Sequence, residues 1–147
     1  MAEHTKWSTL KAEILIVTKD AMDKEVSTAI KEQISKSVED VVYSAGEPAV
    51  YQRRNLINGS LGDTSVMNHT IEGNTLVVTD DADYNSSYDI AGGKPLAYNI
   101  EKGYGDKDEW WKESRPFMFE AKNKLIINKR HVIAMKKGLR RYGLKVE

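Results

Sequence analysis

Imidazole is both a proton carrier and a metal ligand, so the three histidines are the first residues to test for chemistry. His4, His69 and His131 are scattered along the chain, and no HxH or HxxxH spacing brings two of them to one face. Asp81-x-Asp83-x-Asn85 has the opening of a calcium loop. Such a loop needs Gly at its sixth position and a bidentate Glu at its twelfth. Ser86 and Gly92 stand there, so a solvated acidic turn is the better reading. Gly92–Gly93–Lys94 is a fragment of a phosphate loop, but Tyr88 and Pro95 occupy the places of its first Gly and its Ser/Thr. There is no Cys and no Gly-x-Ser-x-Gly, which removes thiolate chemistry, disulfides and the serine nucleophile elbow. Paired carboxylates are plentiful but lie in charged stretches that do not imply raised pKa values. The expectation is a protein with no catalytic, metal or cofactor site and no small-molecule substrate.

Two constellations remain. Trp110–Trp111 followed by Arg115–Pro116–Phe117 is the most apolar cluster outside the helical segments. It either closes the sheet against the final helix or docks a partner, since Trp, Tyr and Arg dominate interface hot spots. Lys136, Lys137, Arg140 and Arg141 crowd one helix end. Clustered cations can bind a polyanion, but no helix-turn-helix, RNA-binding strand motif or aromatic platform accompanies them. The alternatives are a solvated helix end, or a face that pairs with the acidic region of another copy.

The 147 residues carry 22 basic and 22 acidic side chains, yet the charge is polarised. Residues 1–42 have 6 basic and 8 acidic groups, residues 43–110 have 5 and 11, and residues 111–147 have 11 and 3. The acidic middle and basic end suit head-to-tail pairing or a polyanionic partner. The length favours a single domain over 1–147 with a real core. No apolar run approaches the roughly 20 residues that cross a bilayer, so no membrane role is expected. The lack of cysteine fits use in the cytoplasm, and the triplets at Asn58, Asn68 and Asn85 read as turn chemistry.

The elements that must position these residues are legible in the periodicity. Leu10, Ile14, Val17 and Ala21, then Val26, Ile30, Ile34, Val38 and Val41, form a helical stripe uninterrupted by Gly or Pro. Ser8 is the expected N-cap, and the register of the stripe shifts by one near Lys19–Asp23, where a kink is expected. Ser65–Ile71 and Thr75–Thr79 flank Glu72–Gly73–Asn74 and predict a β-hairpin, about 64–79. Residues 80–110 predict a long loop with a helical turn or two at Pro95–Lys102. A last helix opens at Arg115–Pro116–Phe117, shows a gap in its apolar pattern at Asn128, and ends at Gly143, a natural C′ residue. The fold class is therefore α+β. A small antiparallel sheet packs against a long N-terminal helix and a C-terminal helix.

The order of these elements, with Tyr51-x-Arg53-Arg54 on a short strand and Arg115–Pro116–Phe117–Met118 opening a helix that ends Met135–Lys136–Lys137–Gly138–Leu139–Arg140–Arg141–Tyr142–Gly143, resembles the tail-completion or neck proteins of long-tailed bacteriophages and related tail-like particles. These are also labelled minor capsid or head–tail joining proteins. The resemblance implies a non-enzymatic virion protein assembled in the host cytoplasm. It would form a ring of six or twelve copies between the portal or its adaptor and the tail tube, with DNA passing through without sequence readout. On this reading Tyr51, Arg53 and Arg54 serve the sheet and an intersubunit contact, and Trp110, Trp111, Arg115 and Phe117 anchor the loop or a neighbour. A small nucleic-acid-binding module acting through the basic C-terminal helix is the alternative.

Overall fold

The apolar stripe of the N-terminal segment becomes one continuous helix whose ladder is widened twice. The computed structural model describes residues 6–45, 60–82, 96–103 and 114–147. Helix α1 (Trp7–Ala21) passes through a π turn at Met22–Val26 into α2 (Ser27–Ser37), then through a second π turn at Val38–Val42 and a short 3-10 turn at Tyr43–Ala45. Ala21 and Val26 are both buried although five residues separate them. An α-helix would swing them apart, whereas one π turn absorbs the extra residue and keeps both on the core side. This is the register shift visible in the sequence, accommodated by a π turn just after Lys19–Asp23. Widened turns leave carbonyls poorly paired. Ser27 Oγ donates to the Asp23 carbonyl, Thr28 Oγ1 to that of Lys24 at 2.7 Å, and Ser44 Oγ to that of Asp40. At its start the helix differs from expectation. It begins at Trp7, with Lys6 in the cap position and no side-chain cap, so Ser8 lies inside the first turn.

The hairpin forms as its sequence predicts. Strands β1 (Met67–Glu72) and β2 (Thr75–Asp80) pair antiparallel with Glu72 opposite Thr75 and Met67 opposite Asp80. Gly73 has φ +61 in the two-residue loop, a conformation that a side chain would oppose. Residues 64–66, expected in the strand, form a 3-10 turn whose start is capped by Asp63 accepting from Ser65 N–H. Asn68 lies within β1 and not in a turn, and its amide donates to Asp81 Oδ2.

The C-terminal segment is two helices rather than one. Helix α4 (Phe117–Asn128) and helix α5 (Arg130–Arg141) are separated by Lys129, whose φ of 53 is left-handed. The gap in the apolar pattern at Asn128 marks the break. Its Nδ2 donates to buried Gln33 Oε1 at 3.0 Å, and its Oδ1 accepts from Arg130 N–H at 3.0 Å, capping α5. Helix α5 ends in a Schellman turn. Gly143 N–H donates to Arg140 O and Leu144 N–H to Leu139 O, with Gly143 at φ +78. The helical turns expected near Pro95–Lys102 are present as α3 (Leu96–Lys102).

One core joins these parts. Ile34, Val38 and Val42 from the long helix meet Leu61, Met67, Ala82, Ile100, Phe117 and Ala121. The structure is α+β, with the hairpin and the C-terminal helices packed against the long helix.

Candidate assembly surfaces

Helix α5 is held against the long helix by a seam without bulk. Gly138 faces Ala21 so closely that a Cβ on it would stand 2.5 Å from Ala21 Cβ and 2.8 Å from Glu25 Oε2. Ion pairs close the seam at both ends. Arg130 pairs with Glu32 at 2.7 Å, while Arg141 pairs with Asp20 and reaches Glu25 at 3.4 Å. Tyr142 Oη donates to Asp20 at 2.6 Å, and the Arg141 guanidinium lies 5.2 Å from the Tyr142 ring centre. Lys24 bonding, then Tyr142 bonding, holds the Asp20 carboxyl below its ordinary range.

The basic run is thereby divided. Arg141, expected to be part of a polyanion contact, stays exposed but is engaged by Asp20 and Glu25. Gly138 marks the inner face of the helix, so Ile133, Lys137 and Arg140, which stand at i, i+4 and i+7, share the outer one. Lys136 neighbours them, and Arg140 also donates to Val146 O at 2.9 Å. A groove of about 560 Å³ runs between α2 and α5, floored by Ala29 and Ala134 and flanked by Lys24, Glu32, Arg130 and Lys137.

Exposed apolar side chains lie on two elements, α1 and the α4–α5 junction. On α1, Trp7 is 76% exposed and Ile16 69%, with Ile14 and Leu15 also exposed. Around the α4–α5 junction, Ile127 is 79% exposed and Ile133 62%, beside Phe119 and Ile126. Trp7 and Ile16 point to opposite sides of α1, whereas Phe119, Ile126, Ile127 and Ile133 fall near the α4–α5 junction. A single exposed apolar residue is ordinary, and a group of them is a candidate docking surface.

The other expected contact residues fare differently. Phe117 is wholly buried in the core and seats α4 in its own chain. Arg115 is half-buried, with its N–H on Ile100 O at 2.9 Å and its Nη1 at 3.5 Å from Val42 O. It ties the entry of α4 to the end of the long helix. Tyr51, Arg53, Arg54, Trp110 and Trp111 lie outside the described residues. So do Asp83 and Asn85 of the calcium-like triplet and the Gly92–Gly93–Lys94 fragment.

Two groups escaped sequence reasoning. Glu101 caps α4 from α3: its Oε2 accepts from Met118 N–H at 2.8 Å and its Oε1 from Phe119 N–H at 3.2 Å. A carboxylate at a helix N-terminus satisfies free N–H groups and meets the positive end of the dipole. Asp80 ends β2 inside the molecule, 7% exposed. Its Oδ1 accepts from Ala82 N–H at 3.1 Å, while Oδ2 has no hydrogen-bond partner among the described residues. Burial pushes this carboxyl up to about 7, with the Asp81 charge adding to the effect and the Ala82 bond opposing it. The sequence placed residue 80 at the start of the loop, whereas the strand extends through it and turns its side chain inward. Among the described residues no three His, Asp or Glu side chains gather as a metal site, and no helix is long and apolar enough to cross a membrane.

The sequence matches the YomN family over residues 6–141. No curated protein and no solved structure matches the chain.

Proposed function

The chain belongs to the YomN family, and we propose that it is a structural virion protein of the bacteriophage head–tail interface. In this reading identical copies form a ring, of six or twelve subunits, that joins the portal or its adaptor to the tail tube. DNA passes through that ring without sequence readout, and the protein's work is association rather than bond making. The observation that carries the reading is the uncovered apolar surface: Trp7 and Ile16 on α1, and Phe119, Ile126, Ile127 and Ile133 on α4–α5. A Trp and a Phe each bring roughly 150–250 Å² when covered, and a stable interface needs about 800 Å² per partner. Exposed apolar groups on two separate elements of one chain suit a heterologous contact, which closes into a ring when the rotation permits. The resemblance in the order of elements supports the same reading.

Electron microscopy of particles tests it. Particles from a strain lacking the protein should show filled heads and tails that fail to join. The protein, carrying a visible label, should sit at the junction in complete particles. Joined particles in its absence would sink the proposal.

A second reading has one observation in its favour, the outward cations Lys136, Lys137 and Arg140 on α5. A nucleic-acid-binding module would use them for phosphate contact, and binding would weaken steeply with salt. Absence of a gel shift at low salt would remove it.

A further inference from the structure

The hairpin and α5 lie against the long helix within one turn of each other, and they carry opposite charge. Asp23 reaches the hairpin through His69 Nε2 at 3.0 Å, while Asp20 and Glu25 reach α5 through Arg141. Residues 60–82 contain the carboxylates Asp63, Glu72, Asp80 and Asp81 and no Lys or Arg. Residues 130–141 contain Arg130, Lys136, Lys137, Arg140 and Arg141 and no carboxylate.

Burial sorts which of these charges face outward. In the hairpin Met67, His69, Ile71, Leu76, Val78 and Asp80 are on the inner face, and Asn68, Thr70, Glu72, Thr75, Val77 and Thr79 are exposed on the other. That outer face is mostly polar. It carries Glu72 at one end, Asp81 just past the other, and Val77 as an exposed apolar residue near its middle. On α5 the cations Arg130 and Arg141 are neutralised by Glu32, Asp20 and Glu25 of the long helix. Lys137 and Arg140 face out beside Ile133, and Lys137 and Ile133 also line the groove.

We propose that the outer face of the hairpin in one copy docks on the outer face of α5 in a second copy. Glu72 and Asp81 face the outward cations of α5, Lys137 and Arg140 among them, and Val77 is covered in the contact. The occupant is a second copy because the two surfaces complement each other in charge while each, being of one sign, repels its like. Complementary charge sets register and excludes the symmetric pairings hairpin-on-hairpin and α5-on-α5. The contact is therefore head-to-tail, and each subunit of a pair keeps one unused face for the next. This inference rests on the assembly reading and names its interface.

The test is a charge swap followed by sedimentation velocity on the full chain at low salt. Circular dichroism confirms that each variant is folded, as expected for exposed positions. Lys137→Glu with Arg140→Glu should weaken association at least about tenfold, and so should Glu72→Lys with Asp81→Lys. The four changes together should restore it, and added salt should weaken the wild-type contact. Association that survives either reversal overturns the interface and leaves the assembly reading standing on the particle images. Loss in both pairs without restoration in the combined variant also overturns it, since direct contact requires restoration. A wild-type chain that stays monomeric at about 0.5 mM, far above the Kd of a specific contact, overturns it as well. If Lys137→Glu with Arg140→Glu instead abolishes binding of a DNA duplex by a monomeric chain, the face belongs to nucleic acid.

Discussion

Gly138 lies against Ala21 with no room for a side chain between them. This contact sets the distance at which α5 approaches the long helix, and the Arg130–Glu32 and Arg141–Asp20 pairs can close only at that distance. Gly138→Ala gains helix propensity of about 1 kcal/mol. It must also push apart two backbones, since Ala21 Cα would lie 3.0 Å from the new Cβ. Overpacking of this kind costs about 1–3 kcal/mol, so a net loss of stability is expected, read as a fall in the thermal midpoint. An unchanged or higher midpoint would show that the seam can open freely.

Asp80 should make the protein less stable as pH rises. Its folded carboxyl titrates at about 7 against an ordinary 3.8. The folded state therefore holds a proton that the unfolded state has released between those values, and stability falls across the window from about pH 4 to pH 7. The fall is on the order of 4 kcal/mol at most. Asp80→Asn keeps the acceptor for Ala82 N–H and cannot ionise. It should flatten the slope and exceed the wild type at pH 8, measured by denaturant midpoints at pH 5 and pH 8. Parallel profiles would refute this account.

Glu101 should matter to α4 although it is remote in sequence. Glu101→Ala frees two N–H groups at Met118 and Phe119, and loss of a helix cap costs about 0.5–2 kcal/mol. Glu101→Gln retains one acceptor and should recover part of that loss. Equal denaturant midpoints for the two variants would count against the cap.

The pairing at Asp20 acts in the opposite sense to Asp80. Its folded pKa is depressed by Lys24 and Tyr142, so its contribution is present above the ordinary value of 3.8 and disappears as pH falls through the folded one. Asp20→Asn should make the acid-side decline in thermal midpoint shallower. The site is open to solvent, and salt should reduce the difference.

If the proposed assembly is right, the exposed Ile127 and Phe119 should serve association and not folding. Ile127→Ser with Phe119→Ser should leave the thermal midpoint nearly unchanged while reducing incorporation into particles. A large drop in midpoint would place these residues in the core.

The long helix, the hairpin and the entry of α4 were legible because each is written in local pattern. The apolar stripe marks the first, the Glu72–Gly73–Asn74 loop the second, and Arg115–Pro116–Phe117 the third. Even the π turn at Met22–Val26 was foreshadowed by the one-residue shift in the stripe. The two-helix C-terminal half was less clear. Asn128 showed as a gap, but it breaks the helix because Gln33, 95 positions earlier, accepts its amide. Phe117 looked like a contact residue by type and lies in the core, since residue type alone does not tell a core aromatic from a docking one.

By itself the sequence determined the period of each element, the turn at Gly73, the left-handed stop at Gly143 and the separation of charge between the middle and the end. These depend on neighbours within a few residues, whose energies are local. Only the tertiary structure decided which cations remain available, which carboxylate is buried and which faces are left uncovered. Those outcomes depend on how the long helix is turned about its axis, with Asp23 toward the hairpin and Asp20 and Glu25 toward α5. That rotation is set by packing between residues far apart in the chain.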